Sequence, residues 1–325
     1  MNRNQLTGAL EPFDFEHLLQ NVPELKQFDT LIDTCQFTPP IDSSDMSPAH
    51  WTELCHCIAD RYDDYDGFVV LHGTDTMAYT ASALSYMLGN LTKPVIFTGS
   101  QLPIGQLRTD GKENLITSIE IAATKDYEGH AMVPEVGIYF GGHLLRGNRT
   151  TKQSAEEFNA FESFNYPHLV EAGVNITYHR ELILKPDWQI PMIPHYRLDN
   201  NVIIFSLFPG IREDIMRHII LAPSIKAIVM RTFGSGNAPS DPWLLQTLKE
   251  GCDRGKVIVN VSQCMQGSVE MARYGCGYHL MQAGVISGRN STVESAVTKL
   301  MFLLSLYDNP DTVREYMEIS IRGES

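Results

Sequence analysis

The sequence lacks the features that mark several large classes of protein. None of its 325 residues belongs to an apolar run of roughly 18 residues, the length of a membrane-spanning helix. We therefore expect no membrane association. The first residues, Met1-Asn2-Arg3-Asn4-Gln5, are polar and do not resemble the apolar segment of a secretory signal. A cytoplasmic location is the expectation that follows.

Basic residues are scarce. The chain has 25 lysines and arginines against 39 aspartates and glutamates, a formal net charge of −14. A surface this acidic repels phosphate backbones unless its basic residues are concentrated in one patch. No such patch is evident in the sequence, so we expect no nucleic-acid partner and favour a small-molecule substrate.

Cysteines show no paired spacing. The six thiols contain no C-x-x-C motif, which excludes a recognisable disulfide framework or zinc site. Cys55-His56-Cys57 is the one local cluster, and on a helix its two cysteines point to different faces. We expect the cysteines to be small buried apolar residues: Cys35, Cys55, Cys57, Cys252, Cys264 and Cys276.

Several catalytic signatures are also missing. The sequence has no G-x-S-x-G elbow, no H-E-x-x-H pair and no Walker A loop. The segment Gly234 to Pro239 begins like a dinucleotide-binding loop, but Pro239 stands where the third glycine belongs. We therefore expect neither a metal nor a cofactor.

What the sequence does contain is a regular alternation of two patterns. Short apolar runs, typical of strands buried on both faces, lie at 67–71, 94–97, 136–140, 202–205, 227–230 and 256–260. Longer helical patterns lie at 78–88, 114–123, 212–221, 242–254 and 292–306. This alternation predicts an α/β fold with doubly wound, mostly parallel sheets.

Prolines indicate where the chain divides. Pro186, Pro191 and Pro194 fall within a short stretch that can sustain neither a helix nor a ladder. We predict a larger N-terminal domain over 1–185, a linker over 186–199 and a smaller C-terminal domain over 200–325.

The first domain opens in an unusual way. Doubly wound domains usually begin with a core strand, yet the first convincing parallel strand here is Phe68 to Leu71. Thr30-Leu31-Ile32 is at most a minor strand. We therefore expect an opening strand to precede this sequence.

One loop carries the strongest chemical signal. His72-Gly73-Thr74-Asp75-Thr76 follows a predicted strand and opens a predicted helix, the place where ligands bind in open α/β sheets. The alternative is that Thr74 or Asp75 merely caps the helix. Capping needs only one side-chain oxygen, however, and this loop supplies several after a glycine.

Two further segments follow strands in the same way. Thr98-Gly99-Ser100-Gln101 is either a ligand loop or an ordinary Gly-Ser turn. The segment from Arg146 to Lys152 ends in a lysine that, inside a cleft, is able to act as a base on a threonine hydroxyl. Together the loops suggest a Thr–Lys–Asp arrangement, with loop N–H groups holding an oxyanion.

These motifs resemble the bacterial type I, cytoplasmic L-asparaginases over essentially the whole chain. H-G-T-D-T-M-x-x-T-A, which begins at His72, is the most specific of them. The other matching segments are 42–46, 65–71, 98–103, 146–152, 234–239, 262–264 and 283–286.

The resemblance implies hydrolysis of L-asparagine to L-aspartate and ammonia, without a metal or cofactor. Thr74, Asp75 and Lys152 match the family's second catalytic threonine, its aspartate and its lysine. Substrate-binding positions are implied at Asp42, Ser43, Ser44, Thr74, Asp75, Ser100 and Gln101. Among these, Asp75 receives the α-ammonium and Ser43 the α-carboxylate, while Gln101 and the backbone of Ser100 line the amide pocket.

The same resemblance implies regulation and assembly. Arg231 and Cys264 occupy the position of the family's allosteric asparagine site, and Thr151 that of its switch residue. A homodimer or homotetramer is expected from the resemblance.

Two departures from the family concern the N-terminal region. The family's nucleophile lies in a T-G-G-T-I-G loop that this sequence does not contain, and Met1 resembles the methionine directly after that loop. The flexible tyrosine expected downstream is also missing, since the sequence around Gly8 reads Thr7-Gly8-Ala9-Leu10. Either the protein extends N-terminally or this chain lacks normal activity, and we favour the extension.

Two other functions compete with this interpretation. The asparaginase-like subunit of an archaeal tRNA-dependent amidotransferase shares the H-G-T-D-T-M loop, although the acidic composition argues against it. A non-catalytic amino-acid sensor built on an inactive enzyme is the second, and it would bind asparagine without releasing ammonia.

Overall fold

The computed structural model describes residues 2–3, 10–11, 22–272 and 275–325. The chain divides into two compact units. Unit 1 contains the described residues up to Ser163 together with 167–196, and unit 2 contains 164–166 together with the described residues from Arg197 onwards. Met1 and the Thr7-Gly8-Ala9 stretch singled out above lie outside the described residues.

Unit 1 contains three long helices and a central sheet. Its helices are α1 (Pro48–Ala59), α2 (Met77–Met87) and α3 (Gly111–Ala123). Single 3₁₀ turns occur at Pro23–Gln27, Ser43–Asp45 and Gly147–Arg149. Its strands are β1 (Asn2–Arg3), β2 (Leu10–Glu11), β3 (Phe68–Leu71), β4 (Leu88–Gly89), β5 (Val95–Thr98), β6 (Val136–Phe140), β7 (His143–Arg146), β8 (Thr151–Lys152), β9 (Phe161–Glu162), β10 (Val170–Ala172), β11 (Ile176–Tyr178) and β12 (Ile193–Pro194).

The central sheet has the strand order β11-β10-β7-β6-β5-β3. β3, β5 and β6 run parallel, whereas β7, β10 and β11 continue the sheet antiparallel. The separate pairs β1–β2, β4–β12 and β8–β9 are all antiparallel. The predicted strands at 67–71, 94–97 and 136–140 are confirmed to within about a residue. The minor strand at 30–32 is wrong, because that segment is irregular and Leu31 is 96% exposed.

Helix α2 is the centre of unit 1. Every one of its residues except Tyr79 is buried, so it is enclosed on all sides rather than lying on the surface. It packs against β6 and against the 147–149 turn. A helix enclosed in this way provides a rigid support for the loop at its N-terminus.

Unit 2 is a parallel α/β layer. Strands β13 (Val202–Ser206), β14 (Ala227–Thr232), β15 (Val257–Ser262) and β16 (Ile286–Ser287) pair in that order, all parallel. Its helices are α4 (Glu213–Ile220), α5 (Pro242–Asp253), α6 (Gly275–Gln282), α7 (Val293–Leu306) and α8 (Pro310–Glu318). The core consists of side chains from the sheet and its helices, among them Met216, Ile228, Met230, Leu244 and Ile258.

The predicted α/β class with two domains is confirmed, and the domain limits of 185 and 200 stay a prediction. Within the described residues, the longest helix has 14 residues, or about 21 Å. No described helix is long and apolar enough to cross a bilayer.

The expectation that all cysteines are buried is wrong for part of the set. Cys55 and Cys252 are buried, but Cys57 is only half-buried, and Cys35 and Cys264 are exposed. The side chain of Cys276 lies outside the described residues. Cys35 lies in an irregular segment with no apolar layer to cover it, which the spacing of the cysteines did not reveal.

Candidate active site

The two predicted ligand loops leave the sheet side by side. β3 ends at Leu71 and β5 at Thr98, and these residues are register partners in a parallel pair. The backbone N–H of His72 donates to the Thr98 carbonyl over 2.9 Å, which carries the pairing into the loops. Both loops therefore start at the carboxyl edge of the sheet, as the sequence predicts.

Lys152 reaches the first loop and contacts both of its reactive side chains. Its Nζ donates to Thr74 Oγ1 over 2.9 Å and to Asp75 Oδ1 over 2.7 Å. The Thr74 hydroxyl in turn donates to Gln101 Oε1 at 3.3 Å. The structure therefore brings together the three residues of the predicted Thr–Lys–Asp set, although Lys152 is 77 residues or more away in the sequence. 

The simpler explanation for this loop, helix capping, does not hold. The N-cap of α2 is Thr76, and no side chain caps the helix there. The Thr76 hydroxyl donates instead to the Ser43 carbonyl over 2.6 Å. Because Thr74 and Asp75 face Lys152, their side chains are available for chemistry rather than for helix termination.

The position of Lys152 is fixed from both directions along the chain. Before it, the 147–149 turn packs on α2, with the Ser82 hydroxyl donating to the Gly147 carbonyl at 3.4 Å. After it, β8 pairs with β9, which aligns Lys152 with Phe161. The Lys152 side chain is only 19% exposed, so its ammonium is held at the loop instead of extending into solvent.

Arg146, at the start of the same segment, has a structural role. Its guanidinium forms a bidentate pair with Glu135, at 2.6 Å and 3.3 Å, and both side chains are 4% exposed. It also donates to the Leu182 carbonyl over 2.7 Å. A buried, fully bonded pair of this kind anchors the turn that leads to Lys152.

A chain of hydrogen bonds behind the loop orients the His72 ring. The Trp51 indole donates to Thr80 Oγ1 at 3.0 Å, and Thr80 lies 2.9 Å from His72 Nε2. His72 Nδ1 donates to the Gly73 carbonyl at 2.6 Å. Because the Gly73 carbonyl only accepts, Nδ1 carries a hydrogen, and Nε2 pairs with the Thr80 hydroxyl. Burial lowers the pKa of His72, against the opposing effect of the Gly73 carbonyl.

Ser43 approaches this loop because residue 73 is glycine. A Cβ on Gly73 would lie 2.5 Å from Ser43 Oγ, closer than side-chain atoms tolerate. Ser43 is buried at the start of its 3₁₀ turn. The preceding Asp42 caps that turn, accepting from the Ser44 backbone N–H at 2.9 Å and hydroxyl at 2.8 Å. These bonds lower the pKa of Asp42. Asp42 and Ser44 therefore shape the turn that presents Ser43.

The second loop is held by residues that the sequence analysis missed. Asp110 accepts from the backbone N–H groups of Gln101 and Leu102 at 3.0 Å. The buried Asn114 donates to the Gly99 carbonyl at 3.0 Å and to Asp110 at 3.2 Å. Asp110 directly precedes α3, so the sequence signal for its role was an acidic residue at a helix start, which is too common to single out.

Gln101 and Ser100 lie beside the Thr74 loop. Gln101 accepts from the Thr74 hydroxyl with its carbonyl oxygen, while its amide donates to the Glu157 carbonyl at 3.0 Å. These two bonds define which way the amide points. Ser100 is half-buried against Gly111, where an added Cβ would lie 2.9 Å from the Ser100 Cβ.

The proposed effector residues fall in both units. Thr151 is half-buried in unit 1, next to Lys152, and is the register partner of Glu162. In unit 2, Arg231 lies on β14, and its buried Nε has no hydrogen-bond partner. Cys264 follows the end of β15 and is exposed, with its N–H donating to Ser262 Oγ at 2.9 Å.

Among the described residues, one group has the composition of a metal site. Ligand atoms of Asp126, Glu128 and His130 lie within 4.8 Å of one another. Asp126 Oδ1 already accepts from the backbone N–H groups of Glu128 and His130, at 2.9 Å and 3.0 Å. The cluster therefore stabilises its own turn, and none of its residues belongs to the Thr74–Lys152 site.

Comparisons with known proteins agree with this geometry. Residues 1–184 match the family model for asparaginase, N-terminal, and residues 201–317 match that for the glutaminase/asparaginase C-terminal domain. A solved structure of L-asparaginase I from Vibrio cholerae superposes with a TM-score of 0.86. It is 42% identical, and the match covers 95% of this chain and 92% of that one.

The curated relatives include both an L-asparaginase and a lysophospholipase. L-asparaginase 1 of Escherichia coli K12 is 46% identical over 291 residues, which is 89% of this chain and 83% of the relative. The human 60 kDa lysophospholipase is 44% identical over the same share of this chain, but over only 49% of its own length. 

Proposed function

The chain belongs to the asparaginase family, and we propose that it hydrolyses L-asparagine to L-aspartate and ammonia. One observation supports this proposal most directly. Lys152 Nζ lies 2.9 Å from a threonine hydroxyl and 2.7 Å from a carboxylate, within the range for proton transfer and for charge stabilisation.

The proposed chemistry begins with a proton transfer. Once the Lys152 ammonium has given up one proton, its Nζ accepts the proton of a threonine hydroxyl as the threonine oxygen attacks the side-chain amide carbon of asparagine. Asp75 stabilises the ammonium that results. The ammonium then returns its proton to the amide nitrogen, the C–N bond breaks, and ammonia leaves. Water hydrolyses the acyl-enzyme ester to aspartate and restores the threonine.

The substrate's charged groups match the polar groups around this set. Asp75 uses Oδ1 for Lys152, and 65% of its side-chain surface is exposed, so it is accessible to an α-ammonium. Ser43, next to Gly73, is the proposed partner of the α-carboxylate. The proposed amide pocket is lined by Gln101, whose orientation Glu157 fixes, and by Ser100.

The attacking threonine is a residue other than Thr74. Family resemblance assigns the attack to a threonine in a T-G-G-T-I-G loop, and this segment does not occur in the 325 residues. Thr74 then acts as the partner that relays a proton to Lys152. We refer below to the extended chain, meaning this sequence preceded by a strand and a T-G-G-T-I-G loop.

Ammonia release from asparagine and from glutamine, measured for both forms, tests the proposal. We expect the extended chain to turn over asparagine and the 325-residue chain to be slower by several orders of magnitude. Thr74→Ala, Asp75→Asn and Lys152→Met in the extended chain should each abolish most of the rate. If these three variants retain full turnover, the assignment of the site is wrong.

Calorimetry separates hydrolysis from the competing functions. An extended chain that binds asparagine but releases no ammonia is the behaviour of a sensor and would contradict the hydrolase. Ammonia release that requires a co-purifying subunit and tRNA would support the amidotransferase function. The 46% identity to an L-asparaginase over most of both chains favours hydrolysis of free asparagine.

We also propose a regulatory site and an assembly for the same enzyme. Arg231 and Cys264 are the proposed effector-site residues and Thr151 is the proposed switch residue; the buried Nε of Arg231 has no hydrogen-bond partner among the described residues. We propose a cytoplasmic homodimer or homotetramer. Asparagine saturation curves of Arg231→Ala, which should lose any sigmoidal shape, and light scattering of the purified chain test these two proposals.

A further inference from the structure

Two thiols of unit 1 are in direct contact. The Cys57 thiol donates to the Sγ atom of Cys35 over 3.2 Å, and the two residues are far apart in the sequence. Cys35 is exposed, and Cys57 is half-buried in the last turn of α1. Among the cysteines whose side chains are described, these are the two in contact.

We propose that Cys35 and Cys57 form a reversible modification site, at which a peroxide oxidises the two thiols to an intramolecular disulfide. The proposal is independent of the asparaginase function, because it rests on the contact of the two sulfur atoms and on their different exposure.

The exposure of the two thiols sets the order of events. The Cys35 sulfur, open to solvent, attacks one peroxide oxygen, the O–O bond breaks, and a sulfenic acid and water form. The Cys57 sulfur then attacks the Cys35 sulfur, an S–S bond forms, and the hydroxyl leaves as water with the Cys57 proton. Overall, two thiols and one hydrogen peroxide give one disulfide and two waters.

The surroundings of Cys57 suit the resolving role better than the first attack. Burial, and then the neighbouring Cys35, raise the pKa of the Cys57 thiol to about 11. It therefore remains a protonated thiol that does not react with peroxide directly. Arg61 Nη1, 3.8 Å from Cys57 Sγ, is placed to stabilise negative charge on this sulfur as it loses its proton.

Cys55, two residues away, is excluded from the reaction by its own environment. It is 0% exposed, and its thiol donates to the His195 carbonyl at 3.8 Å. Burial raises the pKa of Cys55 to about 12. The structure thus separates two cysteines that look equivalent in the sequence Cys55-His56-Cys57.

The disulfide would enclose the segment that presents Ser43. Cys35 lies in a stretch without helix or strand, and residues 36–42 lead from it directly into the Ser43–Asp45 turn. Linking Cys35 to α1 converts this stretch into a closed loop over residues 35–57. The link restrains the unfolded chain more than the folded one, so it should raise the thermal stability.

Mass spectrometry of the full chain tests the proposal. The protein is treated with stoichiometric hydrogen peroxide, alkylated and digested without reduction. Because no lysine or arginine separates Cys35 from Cys57, trypsin alone leaves them on one peptide, and cleavage after Glu53 is also needed. We expect a peptide pair joined through Cys35 and Cys57, reversed by dithiothreitol.

Four variants provide the controls. Cys35→Ser and Cys57→Ser should lose the cross-link, whereas Cys55→Ala and Cys264→Ser should retain it. Oxidation should raise the Tm of the wild type by roughly 5 °C, and leave the Tm of Cys35→Ser unchanged. Cys57→Ser should accumulate a sulfenic acid on Cys35 that dimedone traps.

Three results would overturn the proposal. One is a Cys35 that is oxidised to sulfinic acid in the wild type while Cys57 stays a free thiol. Another is a linkage through Cys55 or between two copies of the chain. The third is an equal yield of dimedone-trapped sulfenic acid on Cys35 in the wild type and in Cys57→Ser, since Cys57 would then not resolve that sulfenic acid.

Discussion

Two lysine–carboxylate pairs in this protein, one in each unit, differ in almost every respect except their chemical groups. Lys152 and Asp75 are 2.7 Å apart, with side chains 19% and 65% exposed. Lys299 and Glu324 are 2.5 Å apart, with side chains 3% and 1% exposed. The first pair belongs to the candidate active site, and the second fixes the C-terminal segment of unit 2.

The buried pair has all of its bonding capacity satisfied by the protein. Lys299 Nζ also donates to the carbonyls of Ile319 and Met317, at 2.6 Å and 3.3 Å. Glu324 accepts from the backbone N–H groups of Ile321 and Arg322, at 3.0 Å and 2.7 Å. Every donor hydrogen of the ammonium is used, so the pair has nothing left with which to bind a ligand.

The Lys152 pair differs because one of its partners is reactive. One donor hydrogen of the ammonium goes to a carboxylate and another to the Thr74 hydroxyl, a group able to exchange a proton with it. Asp75 stays largely exposed to solvent. The comparison separates a buried pair with all its bonds satisfied from a partly exposed pair with a hydroxyl partner, and we propose a structural role for the first pair and a functional role for the second.

The largest expected effect is on catalysis. Lys152→Met in the extended chain should lower the rate of ammonia release by about 10⁴-fold, because it removes the proton acceptor. The free energy of unfolding should change by less than about 1 kcal/mol, since exposed ion pairs contribute little. Steady-state kinetics and urea denaturation measure the two quantities.

Another lysine–aspartate pair of unit 1 supplies the control for this prediction. Lys125 and Asp66 are 2.9 Å apart, with side chains 47% and 73% exposed. Lys125→Met should leave both turnover and stability unchanged. A similar loss of turnover in both variants would show that the Lys152 effect is not specific to the site.

The next largest effect is on stability, in the buried pair. Glu324→Gln leaves the Lys299 ammonium buried without a counter-charge, which should cost about 3–5 kcal/mol and lower the Tm by roughly 10 °C. Turnover per folded molecule should be unchanged. Glu315→Gln, at an exposed position of α8, is the matched control, and calorimetry is the measurement. A Tm within about 2 °C of the wild type would contradict the structural role.

A smaller expected effect is the pH dependence of the stability that Glu324 contributes. Burial by itself raises the pKa of Glu324, but the Lys299 charge and the backbone N–H groups outweigh it and hold the pKa below its ordinary value of 4.5. Because the folded-state pKa is lower than the unfolded one, the stabilisation is present above about pH 4.5 and is lost as the pH falls through the folded-state pKa. The difference in Tm between wild type and Glu324→Gln should therefore narrow in acid. A difference that stays constant between pH 7 and 3 would mean that folding does not lower the pKa of Glu324.

Sequence patterns predicted six of the seven described parallel strands and five of the eight described helices, for a physical reason. Strands such as β5 are buried on both faces and read as continuous apolar runs. The antiparallel strands β7, β10 and β11 were not predicted from the sequence, because they are short and carry polar residues such as His143 and Glu171. The error at 30–32 was the reverse: a strand was predicted and none is present. Three suitable residues do not form a strand without a neighbouring strand.

The candidate active-site residues were predictable to the extent that they lie in loops directly after strands. Thr74 and Asp75 lie in the loop after β3, and Gln101 lies in the loop after β5. Lys152 was predicted from the segment that begins at Arg146. Asp110 and Asn114 were not predictable, since each acts through bonds to backbone groups of a loop elsewhere in the chain. The contact between Cys35 and Cys57 depends on the tertiary structure, so the spacing of cysteines in the sequence does not predict it.

The smallest expected effect is on the stability of a double variant of the buried pair, and it tests the difference between the two lysine–carboxylate pairs most directly. Replacing both members of the buried pair, Lys299→Met with Glu324→Leu, removes two desolvated charges together and substitutes apolar side chains of similar size. The apolar pair should therefore be within about 1 kcal/mol of the wild type in stability, despite the large cost of Glu324→Gln alone. Urea denaturation of the single and double variants measures this coupling. The corresponding double replacement of Lys152 and Asp75 should abolish turnover, because a hydroxyl cannot pass its proton to an apolar group. If the double replacement in unit 2 is as unstable as Glu324→Gln, the backbone bonds of this pair, and not its charges, hold the C-terminal segment in place.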